Sequence, residues 1–373
     1  MPLIPSREIR VQPYFGFRNA ERLVVDVRVL RGGPPEFDLS GGWRTFRTML
    51  RLYNSHEVGG HSVTLEIEAP DGTRHTHEAV SDKEGFCHFE VDLAPAWPLP
   101  SQGAWEAITF RWADERGEHG VAGHVLAPGA DDAQGVISDI DDTIIETGVT
   151  GGVRSVLKNW RRLFATTPDA REPVSGAELF YEALGGGVDE QGDEAGDAMP
   201  ASRRPFFYVS SSPWNLYPYL VAYMRSRGMP IGPLRLRDWG FDRKTFGKSS
   251  HGSHKTDAIH TILSLYPERR FALVGDDSQG DLTAYAKVLD EHPAQISAIF
   301  IRKVGEPFSA EEAQAKQAIH AAGVTLYIGR SWDEGRDFLS DSGLGASDDA
   351  KTVVDAIEDG AIQEGAIQEG GSE

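Results

Sequence analysis

The stretch Gly135-Val136-Ile137-Ser138-Asp139-Ile140-Asp141-Asp142-Thr143 decides how the chain reads. A short apolar run ends abruptly in a cluster of acids. Runs of this kind, bounded by polar residues, suit a strand buried on both faces of a parallel sheet. Four more follow the first, Gly135–Ser138: Pro205–Val209, Leu234–Leu236, Phe271–Val274 and Ile296–Ile301. Each stops in polar or small residues. Helical patterns separate them at Val153–Phe164, Ala177–Leu184, Leu216–Arg227, Lys255–Leu265, Leu282–Leu289 and Ala310–Ala322. Strand–helix alternation predicts an α/β domain with helices on both sides of the sheet, over residues 133–335. Val324–Ile328 is expected to close it.

Upstream the character differs. Residues 22–130 carry short strand patterns at Arg22–Leu30, Ser62–Glu68, His75–Val80, Gly85–Val91, Ala104–Trp112 and His119–Val125, parted by turns such as Asp71-Gly72 and Glu84-Gly85. They predict a small β-sandwich. A helix is expected within it over Gly42–Asn54, with Trp43, Phe46, Met49 and Leu50 on one face and Arg44, Arg47 and Arg51 on another. Residues 1–21 read as an N-terminal extension. Gly185–Arg203 and the acidic tail 341–373, with its repeated Gly-Ala-Ile-Gln-Glu, have too little apolar surface to order themselves.

The formal net charge is -20 over 373 residues. That argues against nucleic acid as a partner, because phosphate backbones reward Lys and Arg. The single cysteine, Cys87, rules out an internal disulfide and reads as a buried thiol within a strand. Residues 1–12 lack the apolar core of a signal peptide, and no apolar run approaches a membrane span. A cytoplasmic protein is expected, with peripheral membrane contact left open.

In open parallel sheets ligands bind beyond the carboxyl ends of the strands. Asp139 and Asp141 leave the first strand there, and crowded carboxylates call for a hard, oxygen-seeking cation such as Mg²⁺. One carboxylate can attack phosphorus and the other can move the leaving group's proton. The second strand ends in Ser210-Ser211-Ser212-Pro213, where a hydroxyl can bind a phosphoryl oxygen. Ser210 ranks first because it directly follows the apolar run. Ser211 and Ser212 read as caps of a helix opening at Pro213. Lys255 lies in His251-Gly252-Ser253-His254-Lys255 at a helix start and ranks ahead of Lys248. The fourth strand ends in Gly275-Asp276-Asp277-Ser278-Gln279-Gly280-Asp281, an acidic loop able to complete an oxygen-rich metal site.

Taken in order, these elements resemble the haloacid-dehalogenase-like superfamily of phosphatases over roughly residues 133–330. The resemblance implies a Rossmann-like sheet with a small helical cap. It implies Asp139 as nucleophile and Asp141 as general acid/base. Ser210, Lys255 and Thr143 would bind phosphate. Mg²⁺ would be held by Asp139, the Asp141 carbonyl and Asp276, assisted by Asp277 or Asp281. More closely, Ile137-Ser-Asp-Ile-Asp-Asp-Thr, Tyr208-Val-Ser-Ser-Ser-Pro-Trp-Asn-Leu-Tyr217, Leu236-Arg-Asp-Trp239 and His254-Lys255 are similar to the actin-patch-associated phosphatidate phosphatase family. That resemblance implies a lipid phosphate substrate, phosphatidate, and diacylglycerol as product. The chain departs from the family's Gly-Asp-Ser-Gly-Gln-x-Asp pattern by placing Asp277 and Ser278 after Asp276.

Other readings stand beside this one. The substrate could instead be a soluble phosphomonoester, or the β-rich region could make the chain a non-enzymatic docking module for a protein partner that the sequence does not identify. His251 and His254 make a poor metal site beside so many carboxylates. Trp214, Tyr217 and Trp239 read as packing residues. The helix Val153–Phe164 bears Arg154, Lys158, Arg161 and Arg162 without an acid, placed where the superfamily has its cap. A basic amphipathic helix can rest on an anionic membrane or attract an anionic substrate, although a packed cap helix with a solvated basic face is slightly favoured.

Overall fold

The computed structural model describes residues 8–32, 56–144, 174–186, 199–237, 251–278, 280–304 and 307–341. The helices expected at Gly42–Asn54 and Val153–Phe164, the cap with them, lie outside these residues. So do Trp239, Lys248, residues 187–198 and the tail beyond Asp341.

Nine strands build the first domain: β1 (Ile9–Pro13), β2 (Gly16–Arg18), β3 (Arg22–Arg31), β4 (His56–Glu57), β5 (Ser62–Glu68), β6 (Arg74–Val80), β7 (Phe86–Asp92), β8 (Ala104–Asp114) and β9 (Gly117–Ala127). All six expected strands are present. In β5 and β7 the alternation of buried and exposed residues is the period-2 signal from which they were read. The strands expected to stack as a sandwich are hydrogen-bonded into one mixed sheet. β3 joins it together, pairing with β1 and β2 and also with β7 and β4. The sheet curls, so that Phe89 of β7 meets Phe110 of β8 with ring centroids 5.7 Å apart, over a core that includes Val27, Val63, Leu65 and Cys87. Burial pushes the Cys87 thiol up to about 12, as expected of an inert thiol. Residues 9–18 are not an extension: they form β1 and β2 within this sheet.

The second domain carries β10 (Gln134–Ser138), β11 (Phe206–Pro213), β12 (Leu234–Arg237), β13 (Arg270–Asp276), β14 (Ile296–Arg302) and β15 (Thr325–Gly329). All neighbours are parallel, in the order β12-β11-β10-β13-β14-β15. This is the doubly wound order, whose crevice lies where the strand sequence reverses, between β10 and β13. Successive residues point to opposite faces, and both are apolar. Val136, Phe206 and Val274 pack under helices α1 (Ala177–Gly185), α2 (Tyr217–Ser226) and α6 (Asp333–Asp341). Ile137, Phe207 and Leu273 pack under α3 (His251–Leu265), α4 (Asp281–Glu291) and α5 (Ala310–Ala321). Helix α6 was not expected. It closes the first face by stacking Trp332, just before it, on Phe180 at 4.5 Å.

The two domains share their cores. Tyr14 and Phe86 enter the first cluster of the α/β domain, and Phe17 and Leu126 enter the second. Among the described helices none is long and apolar enough to cross a membrane.

Candidate active site

β10 ends at the strand-order reversal, and its ladder is extended by one bond, from the Asp139 amide to the Val274 carbonyl (2.8 Å). Ser138 donates to the Asp139 carbonyl (2.7 Å) and accepts from the Tyr181 hydroxyl (2.6 Å). Beyond Asp139 the chain turns sharply. Ile140 is buried in the core, and Asp142 adopts a left-handed φ of 58°, which Asp tolerates better than most residues. Arg302 holds the Asp142 carbonyl (2.7 Å) and the Trp332 indole holds that of Thr143 (2.9 Å). The turn carrying the acids is thus fixed from two sides.

Three buried carboxylates converge there: Asp139, Asp276 and Asp281 place oxygens within 4.8 Å of one another. Lys255 lies among them, 2.9 Å from Asp139 Oδ1 and in closer contact with Asp281. The Thr143 hydroxyl stands 3.2 Å from both Asp139 Oδ2 and Asp276 Oδ2 and can donate to either. Asp276 is braced by the Ser278 amide (2.5 Å), while its own amide donates to Asp281 (3.2 Å). Gly275 permits this approach, because a Cβ there would collide with the Asp281 carboxylate.

Asp277 takes no part in the cluster. Its carboxylate is bound by Lys303 and by the Val304 amide (2.6 Å). Of the two residues left unranked by the sequence, the structure brings Asp281 to the site and turns Asp277 away.

Asp141 faces a different set of partners. Ser210 donates to it at 2.7 Å and Ser212 at 2.9 Å, while the Ser212 amide donates to Ser210 (2.9 Å). Ser212 was read as a helix cap. Instead β11 runs on through Pro213, so positions 210 and 212 share one face of an extended chain. That i, i+2 spacing was the available signal. Lys255 sits in the second turn of α3, which begins at His251 rather than at Lys255. The side chains of His251 and His254 lie outside the described residues.

The electrostatics follow from burial. Desolvation, opposed by Lys255, holds Asp139 well above the usual carboxylate range. Burial and then the charge of Asp281 push Asp276 up to about 7. Burial alone would lower Lys255, but Asp139, Asp281 and Asp276 together raise it above its ordinary value, so it stays an ammonium. Asp141 keeps some surface exposed. Removal of its carboxyl from bulk water still raises it, and the two serines pull it partway back. With all three ionised, these carboxylates and the Lys255 ammonium, the groups gathered there among the described residues, carry two net negative charges, which a hard divalent cation with oxygen ligands would balance. The donor set therefore fits Mg²⁺. The other such group among the described residues, His260 with Glu291 and His292, is partly exposed, and His260 is already 2.7 Å from Glu291.

Residues 134–303 match the family described as phosphatidate phosphatase APP1, catalytic domain. The match falls within the α/β domain, which is similar to the APP1-like phosphatases. Two curated relatives align with the same region. Phosphatidate phosphatase APP1 of Saccharomyces cerevisiae is 34% identical over 169 residues, covering 45% of this chain and 25% of that protein. An uncharacterized protein of Schizosaccharomyces pombe is 28% identical over 174 residues, covering 46% of this chain and 26% of its own. The chain thus spans about a quarter of the length of the relatives it matches. A β-glucuronidase of Bifidobacterium dentium aligns over 86% of this chain and 60% of its own at 9% identity, but the TM-score of 0.23 carries no argument.

Proposed function

We propose that the protein hydrolyses a phosphate monoester, phosphatidate or a related lipid phosphate, through an aspartyl-phosphate on Asp139, in the manner of the haloacid-dehalogenase-like phosphatases. The observation that carries this reading is the division of labour between two carboxylates two residues apart. Asp139 is gripped by Lys255 at 2.9 Å among further acids, and Asp141 is held by two hydroxyls. The yeast relative's name and the 34% identity to it support a lipid substrate.

The proposed sequence of events is brief. Lys255 keeps Asp139 oriented through Oδ1 and compensates part of its charge, so the other oxygen, Oδ2, can form a bond to phosphorus as the ester P–O bond breaks. Asp141, whose affinity for protons burial raises above the ordinary carboxylate value, gives its proton to the departing alkoxide. It then removes a proton from water, which attacks phosphorus and returns Asp139 as a carboxylate with release of phosphate. Ser210 and Ser212 hold Asp141 on the leaving-group side. Mg²⁺, on Asp139, Asp276, Asp281 and the Asp141 carbonyl, would supply the charge neutralisation that dominates phosphoryl transfer. Peripheral contact with an anionic membrane would bring a lipid substrate to this strand end.

The test is turnover of phosphatidate in mixed micelles beside a panel of soluble phosphomonoesters, with and without Mg²⁺. Asp139→Asn is expected to abolish turnover and leave the fold intact. Full activity in that variant would sink the assignment, and an equal or greater rate on soluble esters would replace the lipid with a metabolite.

A further inference from the structure

The two serines that hold Asp141 lie at an irregularity in the pairing of β11 with β12. β11 pairs with β12 at Tyr208↔Leu234 and Val209↔Arg235 and then only at Pro213↔Arg237, with an irregularity between. Ser210, Ser211 and Ser212 fall inside that gap. Where the register of a ladder shifts, a further restraint helps keep two hydroxyls on one carboxylate.

The restraint comes from the β-rich domain, and it grips the residues immediately after Pro213. Trp214 packs on Tyr14, centroids 4.4 Å apart, and on Phe86 at 5.8 Å. Tyr217 meets Tyr14 edge-on at 4.7 Å, and its hydroxyl accepts from the Phe15 amide (2.9 Å). Arg28 donates to Asn215 Oδ1 (2.5 Å). Arg28 is itself immobilised, donating to the Glu84 carbonyl (2.9 Å) and lying over the Phe86 ring at 4.6 Å. A second tie, from Arg235 of β12 to Asp26 (2.9 Å), anchors the neighbouring strand to the same β3.

We infer that the β-rich domain is part of the catalytic unit. Arg28, Tyr14 and Phe86 act as positioning residues, clamping Trp214-Asn215 so that Ser210 and Ser212 stay registered on Asp141. The inference rests on the role proposed for Asp141. None of the three touches the reacting atoms. Their effect passes through a few residues of backbone, and a misplacement of about 1 Å at a reacting group can cost on the order of 100-fold in rate.

The test uses the full chain with Asn215→Ala, which removes the acceptor of Arg28, and Asn215→Asp, which keeps it. Asn215→Ala should lower kcat about 10-fold with KM within about twofold, and Asn215→Asp should restore most of that loss. Amide hydrogen exchange should quicken in Asn215→Ala over residues 206–217 and nowhere else in the α/β domain. Unchanged kcat and unchanged exchange would overturn the inference. So would a loss that Asn215→Asp fails to rescue, or faster exchange spread over the whole domain, since either marks general loosening. If the wild-type chain turns over no phosphoester, the functional reading has failed by itself. The exchange measurement then decides the clamp alone, with a localised change supporting it and no change refuting it.

Discussion

Replacing Lys255 by Met removes the ammonium that, among the described residues, lies within a buried group of three carboxylates, and keeps the length of the side chain. At 2.9 Å from Asp139 Oδ1 and an effective dielectric of about 20, the lost attraction is about 6 kcal/mol for that contact. The ammonium's own desolvation is relieved at the same time. The net cost should therefore fall to about 3–5 kcal/mol, the range for breaking one side of a buried ion pair. The cost must depend on pH. Without Lys255, which opposes the effect of burial on both, Asp139 and Asp276 bind protons more tightly in the folded than in the unfolded chain. Such groups lend stability at low pH and lose it as pH rises through their folded values. Asp276 stands at about 7 even with Lys255 present. The deficit of Lys255→Met should thus be small at acid pH, open as pH climbs above the ordinary carboxylate range, and be largest above neutrality. Urea unfolding of both proteins at pH 5 and pH 8 in the presence of a chelator measures it. Added Mg²⁺ at pH 8 should recover stability in the variant more than in the wild type. A deficit below about 1 kcal/mol, the worth of an exposed pair, or one equal at the two pH values, would refute the electrostatic account.

Other expectations follow from the same geometry. Asp281→Asn should weaken the Mg²⁺ dependence of turnover by an order of magnitude or more, while Asp277→Asn should leave it near wild type, because Asp277 serves Lys303 and the Val304 amide. A Mg²⁺ titration of activity separates the two, and a larger effect from Asp277→Asn would reverse the assignment. Ser212→Ala removes one of two hydroxyls on Asp141 and should lower kcat by about 10-fold, the lost hydrogen bond being worth about 1.5 kcal/mol. Steady-state kinetics on the preferred ester checks this, and an unaltered kcat would leave Ser210 as the sole support of Asp141.

Much of the α/β domain was legible because its strands are buried on both faces. Continuous apolar runs such as Val136-Ile137 and Phe271-Ala272-Leu273-Val274 have few other uses, and their boundaries shifted by only a few residues. The short strands β1 and β2 were missed for the opposite reason. β1 ends at Pro13 and β2 opens at Gly16; both carry little periodicity, and β2 is placed by pairing with the distant β9 as well as with the neighbouring β3. Ser212 was missed because Pro213 read as the opening of a helix. In the fold Pro213 keeps an extended backbone as the last residue of β11, and the helical turn begins only at Trp214. Trp214 and Tyr217 were recognised as packing residues, but what they pack against lies some 200 positions earlier in the chain.

The amino-acid sequence by itself determined the parallel sheet, the order of its acid, hydroxyl and lysine elements, and Asp139 as the residue at their centre. Those are local properties: an apolar run long enough to be a strand, and the chemistry of the residues at its end. Only the tertiary structure decided that Asp281 rather than Asp277 joins Asp139, that Ser212 shares Asp141 with Ser210, and that the β-rich domain closes on the segment behind them. Each of those depends on contacts between residues far apart in the chain. Asp277 finds Lys303, Asp139 finds Lys255, and Asn215 finds Arg28 only after two sheets have curled and packed into shared cores. Sequence spacing carries no record of such meetings, because they are selected by the burial of many apolar side chains at once.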